Sequence, residues 1–370
     1  MLFTYRPLDG PDSIRLLILH PGLPKTDICC SLIHTTLTEC REDIYDHYTA
    51  LSYVWGNQQD TKTILLNDRP FQVTANLARA LNDLRDEQRH LRLWVDAICI
   101  DQCNILERNE QVKLMGDIYI LAHQTVAYLG GSNNEIDEVF KALQANENEY
   151  LIPSSSVALG PHITSMKELM ATQVLTRPWF DRVWIYQELV LSNVVWVQCG
   201  RSRVNWDYLS KIVPEQFSPT HCETSLDTVT HNIVTPSLAS RRFELLGHMH
   251  EARQKFKTSI VLGKNPATLL EILLARRGFG ATDQRDMVYG HTAVARLYDS
   301  NIMRPCHGLM PCSPVPTVDY RKSVSEVFTE ATRFMMDFDQ SLHALLHAGV
   351  IDPSARREEL PSWVPDWSLN

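Results

Sequence analysis

The sequence predicts an α/β protein: a parallel sheet with helices on both faces, preceded by N-terminal β elements and followed by a mostly helical C-terminal region. Three observations carry this. Near-continuous apolar runs recur at Tyr48–Gly56, Leu91–Asp96, Thr125–Gly130 and Val194–Cys199, the pattern of strands buried on both faces. Helical periodicity fills the intervals between them, and strand–helix alternation at this spacing means a parallel sheet. After about residue 205 the strand signal stops and helical patterns follow one another. The expected division is therefore residues 1–204 as the α/β unit and residues 205–370 as a helical extension packed on it.

In chain order, Ile14–Leu19 and Ile28–Leu37 are β-rich runs separated by Pro21, Gly22 and Pro24. They read as two strands, a hairpin on the edge of the main sheet. Thr63–Leu66 and Phe71–Val73 form a second hairpin around Asn67-Asp68-Arg69-Pro70. Thr74 or Asn76 caps a helix whose apolar face is Leu77, Ala80, Leu81 and Leu84. A helix through Val112, Met115, Ile118 and Tyr119 follows the second strand, and one from about 135 to 146 follows the third. Residues 151–163 read as loop. Arg177–Leu191 reads as one helix with Pro178 in its first turn. Further helices are expected over 206–212, 240–257, 266–277, 288–297 and 323–338, with a Pro/Cys/Gly-rich loop at 304–316. The two tryptophans of Leu360-Pro-Ser-Trp-Val-Pro-Asp-Trp367 pin the tail onto the core.

Of 370 residues 44% are hydrophobic and 21% charged, ordinary for a globular protein. The net charge of −9 argues against a general nucleic-acid binder, whose affinity comes from neutralising phosphates. No apolar run reaches the ~18 residues that span a bilayer, and no signal peptide is visible. The nine cysteines form no CxxC pair, so reduced thiols in a cytoplasmic protein are expected. Cys306, His307 and Cys312 lack a second ligand pair for zinc, and no metal site is expected. GxSxG, GxxxxGK[ST], HExxH and GxGxxG are all absent, which disfavours a serine hydrolase and a P-loop NTPase. The pairs His248/His250 and His343/His347 read as core or surface histidines.

Ligands of open parallel sheets bind beyond the carboxyl ends of the strands. Here those ends carry Ser52, Tyr53, Trp55 and Gly56 on the first strand and Asp96 on the second. Asp96, Asp101 and Glu188 could converge there; their mutual repulsion would raise some pKa values or attract a cation. Trp184 and Glu188 are four residues apart and share a helix face. Each residue also has a structural reading. Glu188 would be the solvated side of an amphipathic helix whose core side is Trp179, Val183 and Val190. Trp55 and Trp94 would be packing, and Asp96 a cap on the following loop. Arg108 would pair with Glu107 or Glu110 in solvent, and Arg285 and Asp286 would tie the helical part to the core.

Three blocks together resemble the fungal heterokaryon-incompatibility (HET) domain. They are Tyr48-Thr-Ala-Leu-Ser-Tyr-Val-Trp-Gly56, Leu93-Trp-Val-Asp-Ala-Ile-Cys-Ile-Asp-Gln102 with Glu107-Arg108 and Met115, and Arg177-Pro-Trp-Phe-x-Arg-x-Trp-x-x-Gln-Glu188. Asp283–Tyr289 and Leu360–Trp367 resemble segments that follow that domain. The resemblance implies a fungal protein of allorecognition and regulated cell death.

HET domains also resemble TIR domains, a flavodoxin-like fold. Ala50-Leu-Ser-Tyr is similar to the TIR first strand, and Val95-Asp96 with Leu106-Glu-Arg108 to its second strand and following loop. Arg182-Val-Trp-Ile-Tyr-Gln-Glu-Leu189 is similar to the TIR glutamate helix, with Arg182 and Ile185 in place of serine and cysteine. The resemblance implies that Glu188 cleaves NAD at the nicotinamide bond, with NAD as substrate and no resident cofactor. Ser52, Tyr53, Trp55, Gly56, Asp96, Asp101, Arg108, Arg182 and Trp184 would line the substrate site. Trp184 or Trp55 would stack on a ring, and Arg182 or Arg108 would meet the pyrophosphate. Self-association into a homo-oligomer would stimulate the reaction, and an incompatibility partner protein is a further expected contact. Two other readings remain: a non-catalytic oligomerisation and signalling module, and a metal-dependent nuclease or phosphodiesterase using Asp96, Asp101 and Glu188.

Overall fold

The computed structural model describes residues 3–24, 26–43, 45, 47–145, 167–212, 238–262, 267–301, 315–349 and 356–369. The loops expected at 151–163 and through most of 304–316, with Cys306, His307 and Cys312, lie outside them. The described strands form one nine-stranded mixed sheet: β1 (Ser13–Leu19), β2 (Cys29–Thr36), β3 (Thr49–Tyr53), β4 (Thr61–Leu66), β5 (Arg69–Thr74), β6 (Leu91–Trp94), β7 (Gln124–Tyr128), β8 (Val195–Cys199) and β9 (Ser202–Asn205). Their spatial order is β5-β4-β2-β1-β6-β3-β7-β8-β9.

The four apolar runs are the parallel centre. β3 pairs in parallel with β6 and β7, and β7 with β8. Counted in chain order these four lie 2-1-3-4, the doubly wound order of flavodoxin-type sheets, whose switch point falls between the first and third strands. Here that is between β3 and β7.

The N-terminal hairpin forms as expected, with β1 antiparallel to β2. It flanks the parallel centre through β1 and β6, but the outer edge is taken by the β4–β5 hairpin, joined to β2 through β4. Asn67 and Asp68 both adopt positive φ (49° and 59°), as a two-residue hairpin turn requires and as Asn and Asp tolerate. β9 was not expected. It pairs antiparallel with β8 after a tight turn at Gly200, whose φ is +53°.

Alternate residues of β7 face two cores. Val126 and Tyr128 join one with α2 (Ala75–Leu84) and α4 (Ile105–Leu121), while Ala127, with Leu129 just beyond the strand, joins the other with α5 (Asn134–Ala145). Both faces are therefore covered. Thr74, one of the two caps expected for α2, accepts from Leu77 N–H, and Asn104 accepts from Glu107 N–H at the start of α4. A short helix not expected, α1 (Leu37–Glu42), starts at a Thr36/Glu39 capping box. α3 (Asp96–Cys99) follows β6.

The stretch 177–191 departs from a single helix. Pro178–Asp181 is a 3-10 turn, Arg182 is extended, and α6 is only Ile185–Val190. The break has a partner: Gly280 N–H donates to Asp181 O (2.6 Å) and Val183 N–H to Gly280 O (3.1 Å). Long-range backbone pairing has replaced the helical bonds of these residues. All six residues of α6 are buried. Ile185 and Leu189 enter one core, Tyr186 and Val190 the other. The solvated-face reading of Glu188 is thereby overturned.

Beyond β9 the described chain is helical: α7 (Trp206–Leu209), α8 (Leu238–Leu262), α9 (Leu269–Ala275), α10 (Asp286–Asn301) and α11 (Val324–Asp339). α8 and α10 both contact α6, and α10 contacts α4. Trp367 and Val364 are fully buried in the larger core, so the tail is pinned as its tryptophans suggest. The six described cysteines are free thiols. Among the described residues no helix is long and apolar enough to cross a membrane.

Candidate functional site

β3, which borders the switch point, delivers Ser52 and Tyr53 to its carboxyl end. Ser52 is buried, and its neighbour in register on β7 is Ala127. That small partner leaves room above the strand for larger side chains. Trp179 donates its indole N–H to Ser52 Oγ (2.7 Å). An indole nitrogen donates only, so the Ser52 hydroxyl turns its own proton away. It gives that proton to Glu188 Oε2. Trp179, expected as packing alone, therefore also sets the direction of a polar relay. Indole, hydroxyl and carboxylate make a chain that runs from Trp179 through Ser52 to Glu188.

Arg182 stands beside this chain. Its Nη1 donates to Tyr53 O (2.6 Å) and lies 3.8 Å from Glu188 Oε2. Glu188 is 3% exposed. Burial pushes its carboxyl above the usual range; the Arg182 charge and the Ser52 bond oppose the shift, and the charge of Asp96 adds to it. Asp96 is raised by burial too, opposed chiefly by Arg182 and then by its bond from Trp55. Trp55 donates Nε1–H to Asp96 Oδ2 (2.8 Å), and Asp96 Oδ1, inside the first turn of α3 rather than capping it, accepts from the adjacent Ala97 N–H (2.7 Å). The Arg182 charge thus acts on two carboxyls, Glu188 buried and Asp96 partly buried, and the buried hydroxyl of Tyr53 lies beside Asp96. Gly56 closes the set with φ +77°, a conformation that a residue with a Cβ rarely adopts.

The structure brings together Ser52, Tyr53, Trp55, Asp96, Arg182 and Glu188. It does not bring in Asp101, Arg108 or Trp184. Asp101 is a turn residue: its N–H donates to Glu107 Oε1 (2.7 Å) and its Oδ1 accepts from Cys103 N–H (3.2 Å). Arg108 does not pair with Glu107 or Glu110, which bond Arg15 and Lys113. Its guanidinium instead lies 4.0 Å from the centre of the Tyr320 ring. Trp184 donates Nε1–H to Asp286 Oδ2 (3.0 Å), so the four-residue spacing to Glu188 does not give them a shared partner. The convergence of Asp96, Asp101 and Glu188 is not seen, and no group of three or more His, Cys, Asp or Glu among the described residues is arranged to hold a metal.

Arg108, Trp184, Tyr320 and Asp286 form a second cluster that fastens the helical region to the α/β core. Tyr320 donates to Asp286 Oδ1 (2.7 Å). Arg285 pairs with Asp283 (2.6 Å) rather than with Asp286. The tie between the two regions exists, but through Asp286 and an indole instead of an ion pair. Burial raises the Asp286 carboxyl to about 6. A raised carboxyl stabilises the fold where it is protonated and loses that contribution as pH climbs through its folded value. Asp286→Asn should therefore gain melting temperature relative to the natural chain between pH 4.5 and 7. Paired thermal melts across that range check it, and a constant difference would contradict it.

Several of these partners carry no local sequence signal. Tyr119, whose hydroxyl eases the Glu188 carboxyl, reads only as a core position of α4. Tyr320 lies 136 residues beyond Trp184 and reads as a loop residue. His291 is wholly buried with both ring nitrogens unbonded and is held neutral, its pKa lowered to about 3 by burial.

Comparison with known proteins agrees with the three blocks. Residues 48–188 match the family model for Heterokaryon incompatibility protein (HET). Over 99% of its length the chain is 27% identical, across 429 aligned residues, to Heterokaryon incompatibility protein 6, OR allele, of Neurospora crassa. The chain spans 60% of the length of that relative. No solved structure matches the chain.

Proposed function

We propose that this chain, which belongs to the heterokaryon-incompatibility (HET) domain family, acts in fungal incompatibility and the regulated cell death that follows it by cleaving NAD through Glu188. The observation that carries the reading is the placement of Glu188. It is a carboxyl near the carboxyl ends of the parallel strands, raised by burial, oriented by Ser52 and faced by one arginine.

The chemistry suits such a group. Breaking the ribose–nicotinamide bond builds positive charge on the sugar, and a fixed carboxylate stabilises that charge. The bonding electrons leave with the ring nitrogen, nicotinamide departs neutral, and no general acid is needed. Water adds to the sugar carbon and releases a proton. Arg182 would meet the pyrophosphate and Trp55 would flank a ring. With 3% exposure of Glu188, this geometry is a resting form, and self-association or an incompatibility partner would open it.

A second reading is favoured by the same burial. Ser52, Trp179, Glu188 and Arg182 satisfy one another, as a structural network would, in a module that signals without turnover. Purified full-length chain at high concentration separates the two. On the first reading NAD is consumed and nicotinamide accumulates, faster than in proportion to protein concentration. Stable NAD across all concentrations, including after forced oligomerisation, supports the second.

A further inference from the structure

Among the described residues four arginines are buried almost completely, and they make a comparison within one molecule. Arg15, Arg85 and Arg253 are 0–1% exposed and Arg276 is 3% exposed. Arg15 makes five hydrogen bonds, two of them to Glu107. Arg85 makes four, to Asp27 O, Leu23 O and both oxygens of Thr26. Arg253 makes three, capping the end of α6 through Leu189 O, Ser192 O and Asn193 O. Arg276 makes one, from Nη2 to Arg182 O (2.9 Å). The rings of Phe279 and Tyr186 lie against its guanidinium, and Asp181, paired with Arg242, acts on it only through its charge. A buried guanidinium without a carboxylate or a set of carbonyls is costly.

Arg276 also lines a cavity. A space of about 580 Å³ lies between α8 and α9, against α6, within the size range of small-molecule sites. Its floor is apolar: Val190, Met249, Phe256 and Ile272. Acids do stand around it, but each is engaged elsewhere. Glu251 pairs with Lys255 (2.7 Å), Glu244 lies 3.9 Å from His248, and Glu271 caps its own helix at Thr268. None bonds Arg276.

We infer that this cavity binds an amphiphilic monoanion, an aliphatic carboxylate of medium chain length, with the carboxylate on Arg276 and the chain along the apolar floor. One guanidinium fork matches one carboxylate. The three glutamates offset Arg241 and Lys255 at the cavity, so a doubly charged head group such as a phosphate monoester is disfavoured. An uncharged chain of the same length leaves Arg276 unpaired and forfeits the charge-assisted bonds.

The test is calorimetric titration of the full chain with decanoate, below its micellar range, alongside decanol and decyl phosphate. Decanoate should bind saturably at one per chain, and decanol at least about tenfold more weakly. Arg276→Gln and Ala252→Trp, the latter filling the cavity from α8, should each lose at least about tenfold in decanoate affinity. Circular dichroism confirms that each is folded. If Arg276→Gln does not fold, Ala252→Trp and the decanol arm decide. Decanol binding as tightly as decanoate, full affinity in folded Ala252→Trp, or no saturable decanoate binding would overturn the assignment. Decyl phosphate binding more tightly than decanoate would overturn the monoanion.

Discussion

Glu188→Gln should yield a folded protein that melts at a higher temperature than the natural chain at pH 7 and releases nicotinamide at least about a hundredfold more slowly, the scale of losing one fixed electrostatic stabiliser. The two effects have one cause. Burial raises the Glu188 carboxyl, so keeping it ionised in the fold costs free energy at any pH above the unfolded carboxylate value. Glutamine keeps the shape and still accepts the proton of Ser52, while removing the charge. Arg182 retains Tyr53 O at 2.6 Å and is partly exposed, so it is not stranded. The stability gain should grow as pH rises from about 4 through the folded pKa of Glu188, and vanish in acid where the natural side chain is protonated. Steady NAD turnover by a folded Glu188→Gln protein would remove Glu188 as the catalyst. A fall in melting temperature instead of a rise would mean that the network, not the reaction, needs the charge.

What the sequence could and could not tell depends on how far away each residue's partners lie. The parallel centre was legible because its four strands are buried on both faces, and such strands announce themselves as unbroken apolar runs. Thr74 as a cap and Asn67-Asp68 as a turn were legible because their chemistry is local. The interruption at Arg182 was not. Its cause is Gly280, about a hundred residues away, whose backbone takes the hydrogen bonds that a helix would have used. Glu188 was legible as the residue to examine but not as a buried one, because α6 is enclosed by helices from the far end of the chain. Arg108 and Trp184 were misplaced for the same reason. Both have flexible or amphipathic side chains that turn to the nearest suitable partner, and that partner, Tyr320 or Asp286, belongs to the helical region. Motif spacing identifies which residues matter and leaves open whether they matter for chemistry or for assembly.

Glu107 shows the second outcome, and Glu107→Gln should destabilise the fold by about 3–5 kcal/mol, the cost of breaking one half of a buried ion pair. Arg15 of β1 is wholly buried, and Glu107 of α4 is 10% exposed. Their pairing is bidentate, at 2.5 and 3.0 Å. Arg15 spends its other donors on His34, Cys99 O and Arg6 O, while Glu107 Oε1 also accepts from Asp101 N–H. One carboxylate therefore joins the N-terminal strand, the turn after α3 and the start of α4. Glutamine of the same shape leaves Arg15 charged, enclosed and short of a counter-ion. Expected are a drop of several degrees in melting temperature and an earlier denaturant midpoint. Arg15→Met at the same site should cost less, because the charge it leaves behind is on Glu107, which reaches solvent. Glu107→Gln melting like the natural chain would show that this pair is no stronger than one on the surface. The contrast with Glu188 is the useful part. Both glutamates belong to the family blocks and both face an arginine. Removing the charge should weaken the fold at Glu107 and strengthen it at Glu188, because Glu107 is clamped by its cation while Glu188 stands 3.8 Å from its own, a looser pairing that does not offset its burial.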